Sequence, residues 1–226
     1  MAWDRKEQNM YHYISDKEFL KRMRGLCSNI INQLVQAINN DSVMNVESRL
    51  VGSGAKHLET QNSNEPVDMD YNICMLKIKE FNINDGREIK EYIRKQFNTI
   101  LKSNGWGDCR DSTSALTTEK RQFIKGNQTE FSIDVGIVVE NDHEWYRLIH
   151  EKTGFAAYDK YYWNKMPNSK GLSKKFDELK KNHLWQKVRD TYLDKKNRYL
   201  KQCDYNHPSF NVYIESVNEV YSKYFD

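Results

Sequence analysis

Hydrophobic residues recur with helical spacing in several parts of the chain. The tetrapeptide at 15–18 (Ser-Asp-Lys-Glu) has the composition of a capping box, in which the Ser and Glu side chains satisfy each other's free backbone donors. The apolar positions that follow keep a helical period to about residue 40. A second helix is predicted over 86–104, with Gly105 as its stop, and a last helix begins after Pro208.

Other stretches alternate between apolar and polar residues with a period of two, as half-buried strands do. We predict strands over 46–51, 68–79, 115–124 and 130–139. A polar Lys-Gly-Asn-Gln segment at 125–128 is typical of a hairpin-like connection between the last two.

From residue 144 onward the pattern is interpreted as helical and rich in aromatic residues, with one or two helices over 172–193. The predicted fold class is therefore α+β (mixed α/β). A twisted mixed sheet flanked by helices would occupy residues 1–145, including the long N-terminal helix. A helical C-terminal lobe would follow over 146–226.

The composition is that of an ordered globular protein, because 38% of the 226 residues are hydrophobic and 30% are charged. The polar amino terminus lacks the apolar segment of a signal peptide, and no run approaches the roughly 18 to 20 apolar residues of a membrane span. The four cysteines are dispersed. We therefore expect a cytoplasmic protein with reduced thiols, no zinc site and no membrane association.

The net charge of +3 is unevenly distributed. Residues 170–201 contain 11 Lys and Arg against 4 Asp and Glu. Such a segment is most simply the solvated face of a helix. The alternative is an electrostatic surface for a triphosphate or a nucleic acid.

Three aspartates interrupt apolar strands, where a carboxylate is costly unless something compensates its charge. Asp68 and Asp70 point to the same face of one predicted strand, about 6.5 to 7 Å apart. Asp134 lies on the polar face of a later strand. If the two strands are neighbours, the three carboxylates converge, and such hard oxygen ligands suit Mg²⁺ or Mn²⁺. Surface carboxylates paired with lysines are the simpler alternative.

A Gly-Ser-Gly segment at 52–54 directly follows the first predicted strand. Glycine adopts conformations that expose backbone amides, and the serine adds a hydroxyl, so such a turn can hold a triphosphate. Alone it would be an ordinary tight turn. Followed by the paired and single aspartates, it indicates a metal-dependent nucleotidyl transfer site.

This order of motifs resembles the polymerase-β-like nucleotidyltransferase superfamily. Gly52 and Ser53 match its Gly-Ser turn, Asp68 and Asp70 match its pair of acids, and Asp134 matches its third acid. The long helix before the first strand and the helices after the third acid look like the branch of oligoadenylate synthetases and cGAS/DncV-like (CD-NTase) enzymes.

The resemblance implies a role for each matched residue. Asp68 and Asp70 would bridge two metal ions, and Asp134 would bind the ion that activates the acceptor hydroxyl. Ser53 would contact the β- or γ-phosphate of the nucleotide. The bound cofactor would be Mg²⁺ or Mn²⁺, with a nucleoside triphosphate as substrate.

The leading functional hypothesis is a Mg²⁺-dependent nucleotidyltransferase that moves a nucleoside monophosphate from an NTP to a hydroxyl and releases pyrophosphate. A nucleotide acceptor would make it a second-messenger synthase, whereas an antibiotic or an RNA end would give other products. Two alternatives belong to different classes of protein. One is a catalytically silent nucleotide-binding or sensor module of the same fold, and the other is a nucleic-acid-binding protein that uses the basic segment 170–201.

Overall fold

The computed structural model describes residues 10–62, 65–167, 170–204 and 207–225. Within these ranges the chain forms six α-helices and nine strands. In chain order they are β1 (His12–Tyr13), α1 (Lys17–Asn40), β2 (Met44–Leu50), α2 (Gly52–Lys56), β3 (Thr60–Gln61), β4 (Val67–Ile78), α3 (Gly86–Ser103), β5 (Arg110–Asp111), β6 (Leu116–Thr117), β7 (Phe131–Asn141), β8 (Glu144–Glu151), β9 (Lys160–Lys165), α4 (Lys170–Lys181), α5 (Trp185–Lys201) and α6 (Ser209–Phe225).

These elements form two compact units. The sheet unit comprises Asp16–Val51 and Pro66–Met166, and the helical unit comprises the described residues of Met1–Ser15, Gly52–Glu65 and Pro167–Asp226. Each unit is built from more than one segment of the chain. The domain boundary predicted between residues 145 and 146 stays a prediction.

The sheet unit is organised around a mixed seven-stranded sheet, which confirms the predicted α+β class. Its strands follow the order β2-β4-β7-β6-β5, and β8 pairs with both β7 and β9. The two central strands, β4 and β7, run parallel, whereas the other named pairs are antiparallel. Because these central strands are neighbours, the polar positions that they carry share one face of the sheet.

The two long helices supply much of the apolar core of the sheet unit. Helix α1 packs against β2 and α3. The extents predicted for both helices agree with the structure to within two residues. The N-cap of α1 is Asp16, however, and not the serine before it, because the Asp16 carboxylate accepts a hydrogen bond of 2.9 Å from the Phe19 N–H. The buried side chains of the two helices include Met23, Ile30, Ile31, Leu34, Ile89, Ile93 and Phe97.

The helical interpretation of residues 144–165 is wrong, because this segment forms strands β8 and β9. Its aromatic residues also suit strands, which favour large side chains on a pleated surface. β8 pairs with the end of β7, and β9 covers the other edge of β8. The strand predicted over 115–124 is also shorter than expected, since only β6 and an isolated bridge at Arg121 remain.

The helical unit has its own apolar core. Helix α6 packs against α4 and α5, and the short strands β1 and β3 form an antiparallel pair. Where one or two helices were predicted over 172–193, the structure has two, α4 and α5. Helix α6 confirms the predicted helix after Pro208. No helix within the described ranges is long and apolar enough to cross a membrane. The core contains Leu58, Leu179, Val188, Tyr192, Val212, Tyr213, Val217 and Val220.

Candidate active site

The parallel pairing of β4 with β7 places two of the predicted acids directly opposite each other. Asp70 is in register with Asp134, and Asp68 is in register with Ser132. Paired residues on neighbouring strands point to the same face of the sheet. The next position along that face pairs Asn72 with Gly136. The polar face is therefore a ladder of rows, with the two carboxylates in one row.

Asp68 occupies the row before this pair and is more exposed than Asp70. Its Oδ1 accepts a hydrogen bond of 2.5 Å from the Ser132 hydroxyl. Within the described ranges, no three His, Cys, Asp or Glu side chains are gathered closely enough to form a complete metal site. The structure thus brings Asp70 and Asp134 together and leaves Asp68 one row away.

The two paired carboxylates stand in an environment that disfavours their charge. Burial, followed by the charges of Asp134 and Asp68, raises the pKa of Asp70 to about 7, although Arg147 opposes the shift. Burial also raises the pKa of Asp134, against a hydrogen bond from Thr117 and the charges of Arg110 and Arg147. A nearby cation would therefore stabilise the ionised form of each acid.

A divalent cation fits this pair chemically. The Oδ1 atom of Asp134 is buried and has no hydrogen-bond partner among the described residues. A buried acceptor without a partner is uncommon and costs free energy. Carboxylate oxygens are the ligands that Mg²⁺ and Mn²⁺ prefer, and a bound ion would satisfy this atom.

Gly52 and Ser53 begin helix α2 and belong to the helical unit. Gly52 has a φ of +63°, in the left-handed region that favours glycine. The segment is a short helix, in which the Ser53 carbonyl accepts a hydrogen bond of 3.0 Å from the Leu58 N–H. The Val51 N–H, one residue before it, donates to the Asp70 carbonyl at 2.9 Å. The role of Ser53 toward a phosphate stays a prediction.

Two residues of this face were missed by the sequence analysis. Asn72 lies two positions after Asp70, so strand alternation alone could have identified it, as it places Gly136 on the face of Asp134. Arg147 lies in β8, which was interpreted as helical, and its place beside the acids depends on that strand. No sequence signal pointed to it.

The basic segment 170–201 contains several side chains that contact aromatic rings of the helical unit. The Lys180 ammonium lies 4.5 Å from the centre of the Phe176 ring, and the Arg189 guanidinium lies 3.9 Å from the Tyr13 ring. Lys195 forms an ion pair of 2.9 Å with Glu219. Part of the positive charge of the segment is therefore engaged within the unit.

The sheet unit contains a second group of buried charges that the sequence analysis did not identify. The Lys90 ammonium lies 2.6 Å from Oδ1 of Asp111, and both side chains are nearly inaccessible. His150 bridges two acids, with Nδ1 2.7 Å from Asp111 and Nε2 2.9 Å from Asp159. The Tyr161 ring stacks on the imidazole at 4.2 Å. We call these five residues the buried network.

Both carboxylates of the buried network are held in the ionised form. Burial raises the pKa of Asp111, but Lys90 and His150 outweigh it, so the pKa lies below its usual value. The Thr153 N–H and His150 lower the pKa of Asp159. Each of these carboxylates lies within hydrogen-bond distance of one ring nitrogen of His150.

Comparison with known proteins identifies relatives by structure alone. No protein-family model matches the sequence, and no curated protein matches it significantly. The cyclic dinucleotide synthase CdnE of Elizabethkingia meningoseptica, solved with GTP and Apcpp, is 13% identical with a TM-score of 0.52. That match covers 88% of this chain and 71% of CdnE.

CdnC of E. coli MS115-1 matches over a larger part of this chain. The structure solved with ATP is 14% identical, with a TM-score of 0.58, and the match covers 99% of this chain and 65% of CdnC. CdnC in complex with HORMA-deltaN is 15% identical, with a TM-score of 0.55, over 96% of this chain and 63% of CdnC. This chain thus spans less than two thirds of the CdnC chains. It has the fold shared by CdnC and by CdnE, which is named a cyclic dinucleotide synthase.

Proposed function

We propose that this protein is a nucleotidyltransferase that depends on a divalent metal ion and transfers a nucleoside monophosphate from an NTP to a hydroxyl, releasing pyrophosphate. The observation that carries the proposal is the row formed by Asp70 and Asp134. Their carboxylates are directly opposite on parallel strands, and one buried oxygen lacks a hydrogen-bond partner among the described residues. The proposal is supported by the shared fold of CdnE, a solved neighbour that is named a cyclic dinucleotide synthase.

The chain's own residues would bind and orient the reactants. Asp70 and Asp134 would hold the ion, with Asp68 joining them from the adjacent row. When bound, Mg²⁺ or Mn²⁺ supplies positive charge to the attacking and leaving oxygens of the transfer. Ser53 would contribute its hydroxyl to the β- or γ-phosphate. In-line positioning of the acceptor hydroxyl against the α-phosphate would account for much of the rate enhancement.

A nucleotide is the acceptor that we propose first. CdnE and CdnC support it, because CdnE is named a cyclic dinucleotide synthase and both were solved with nucleoside triphosphates or an analogue. Small molecules such as antibiotics and RNA ends are other hydroxyl acceptors for the same donor chemistry. A product formed from NTP alone would indicate a nucleotide acceptor.

The test is a product assay with each of the four labelled NTPs and either Mg²⁺ or Mn²⁺. We expect pyrophosphate release that EDTA abolishes. Asp70→Asn and Asp134→Asn should each lower the rate at least about a thousandfold, which corresponds to about 4 kcal/mol of transition-state stabilisation. Asp142→Asn is the matched control, because this acid is exposed at the β7–β8 turn, and it should retain the wild-type rate.

Wild-type turnover in either site variant would remove that residue from catalysis. Metal-dependent NTP binding with no pyrophosphate release across nucleotides, antibiotics and RNA would instead support the silent sensor module.

A further inference from the structure

We propose that Arg147 is the resident cation of the acidic site. Its guanidinium compensates Asp70 and Asp134 in the metal-free protein, and it thereby weakens the binding of a divalent ion there. This inference rests on the proposed metal-binding role of these two acids. It makes Arg147 a positioning residue that sets the balance between stability without metal and affinity for metal.

The position of Arg147 follows from the strand register. Arg147 on β8 pairs with Val138 on β7, and Val138 shares a face of β7 with Asp134 and Gly136. The side chain lies beside Gly136, and its Nη2 donates a hydrogen bond of 3.2 Å to Oδ1 of Asn72. The guanidinium therefore reaches the row that directly follows the two acids.

The absence of a side chain at Gly136 makes this placement feasible. A Cβ at that position would lie 2.8 Å from Oδ1 of Asn72 and 3.4 Å from Nε of Arg147. The first distance is shorter than van der Waals contact allows. The ladder thus contains a gap that the guanidinium and its amide partner occupy.

The charges of Arg147 and the two acids are mutually compensating. Burial lowers the pKa of Arg147, and the carboxylates of Asp70 and Asp134 oppose that shift. The Nε of Arg147 is buried and lacks a hydrogen-bond partner among the described residues. A guanidinium stays protonated under all ordinary conditions, so it provides a permanent positive charge at this face.

A permanent cation has two opposite effects at a metal site. Without metal, it reduces the free-energy cost of two neighbouring buried carboxylates. With metal, it repels the incoming divalent ion through a medium of low effective dielectric constant. Removing its charge should therefore destabilise the metal-free protein and tighten metal binding.

Arg49 provides a matched control on the same face of the sheet. It is in register with Asn72 from the opposite side, on β2. Its guanidinium is instead paired with Glu47 at 2.6 Å, and the side chain is about half exposed (53%). Replacing Arg49 by Gln removes one positive charge from the same row, but it leaves Arg147 in place beside Asp70 and Asp134.

The experiment measures Mn²⁺ binding by electron paramagnetic resonance and thermal unfolding with and without Mn²⁺. Arg147→Gln should lower the Mn²⁺ dissociation constant about tenfold. Without metal its melting temperature should fall by about 5 °C, and saturating Mn²⁺ should raise it more than in the wild type. Arg147→Lys keeps the charge and should bind Mn²⁺ within about threefold of the wild type. Arg49→Gln should do the same.

Several outcomes would overturn the inference. An unchanged or weaker Mn²⁺ affinity in Arg147→Gln would mean that Arg147 is only a structural partner of Asn72. The same conclusion would follow if Arg147→Lys and Arg147→Gln had the same Mn²⁺ affinity. If Arg147→Gln folds only with Mn²⁺, the inference is supported, and failure to fold even with Mn²⁺ contradicts it. Absence of Mn²⁺ binding in the wild type would overturn the metal role in the proposed function as well. Binding that Asp134→Asn abolishes but Arg147→Gln leaves unchanged would overturn this inference alone.

Discussion

The sheet unit buries carboxylates in two places, the acidic site on β4 and β7 and the buried network around His150. The two places differ in the charge of the groups that surround each carboxylate. In the network, Asp111 contacts both Lys90 and His150, and Asp159 contacts His150 from the other side. In the site, Asp70 and Asp134 face each other; the charge of Arg147 acts on both acids, and that of Arg110 acts on Asp134 as well.

The pKa shifts express this difference. The pKa of Asp111 and that of Asp159 are lowered, whereas the pKa of Asp70 and that of Asp134 are raised. A lowered carboxyl pKa means that ionisation stabilises the fold, and a raised one means that ionisation opposes it. The network therefore contributes to stability, while the site retains unfavourable electrostatics of the kind that proteins keep where function needs them.

The largest effect on stability is expected from Asp111→Asn, which removes one partner of a buried ion pair. Lys90 would then keep a buried positive charge without its carboxylate partner, and this should lower the free energy of unfolding by about 3–5 kcal/mol. Urea unfolding at pH 7 measures the loss. Asp142→Asn should change stability by less than about 0.5 kcal/mol, because this acid is exposed.

The corresponding change in the acidic site should have the opposite sign. Asp70→Asn removes a charge whose ionisation opposes folding, so the variant should be as stable as the wild type or more stable at pH 7 in EDTA. A loss of several kcal/mol in Asp70→Asn would show that the two places do not differ as the structure indicates.

The pH dependence of stability should separate the two places next. The folded pKa of Asp70 is about 7, above the unfolded value of about 3.9, so its ionisation reduces stability progressively as the pH rises from about 4 to 7. Relative to the wild type, Asp70→Asn should gain roughly 2–4 kcal/mol across that range. The folded pKa of Asp111 is lowered, so its contribution is present above about pH 4 and is lost as the pH falls through the folded pKa.

Urea unfolding between pH 4.5 and 8 in EDTA tests this difference. The stability gap between the wild type and Asp111→Asn should stay nearly constant over the range, while the gap between the wild type and Asp70→Asn should widen with pH. Parallel curves for the two variants would contradict the assigned shifts.

The two places also differ in how far the sequence predicts them. Asp70 and Asp134 interrupt apolar runs with a period of two, and that period placed each acid on the polar face of its strand. The adjacency of the two strands, which the sequence left as a condition, comes from the structure. The network has no comparable period. Lys90 lies on a helix, Asp111 on a two-residue strand and His150 on β8, which was interpreted as helical. Only tertiary pairing brings these residues together, as it also brings Arg147 to the acids.

The smallest of these effects concerns Gly136, where the geometry of the acidic site depends on one missing methyl group. In Gly136→Ala the new Cβ would lie 2.8 Å from Oδ1 of Asn72, so Asn72 must shift, and this disturbs its hydrogen bond with the Arg147 guanidinium. Overpacking of this kind should lower the free energy of unfolding by about 1–2 kcal/mol in EDTA. Urea unfolding measures the change, and part of it should disappear in saturating Mn²⁺, because a bound ion would replace the displaced charge beside Asp70 and Asp134.

Gly25→Ala is the control for this substitution in the same unit. Gly25 lies on helix α1 with no atom near its added Cβ, so alanine there should raise stability by about 0.5–1 kcal/mol, independently of metal. Equal increases in the free energy of unfolding of the two alanine variants would mean that the space at Gly136 is not needed to position Asn72 and Arg147. A loss confined to Gly136→Ala and partly reversed by Mn²⁺ would instead show that the resident cation, unlike the charges of the buried network, can be exchanged for a metal ion.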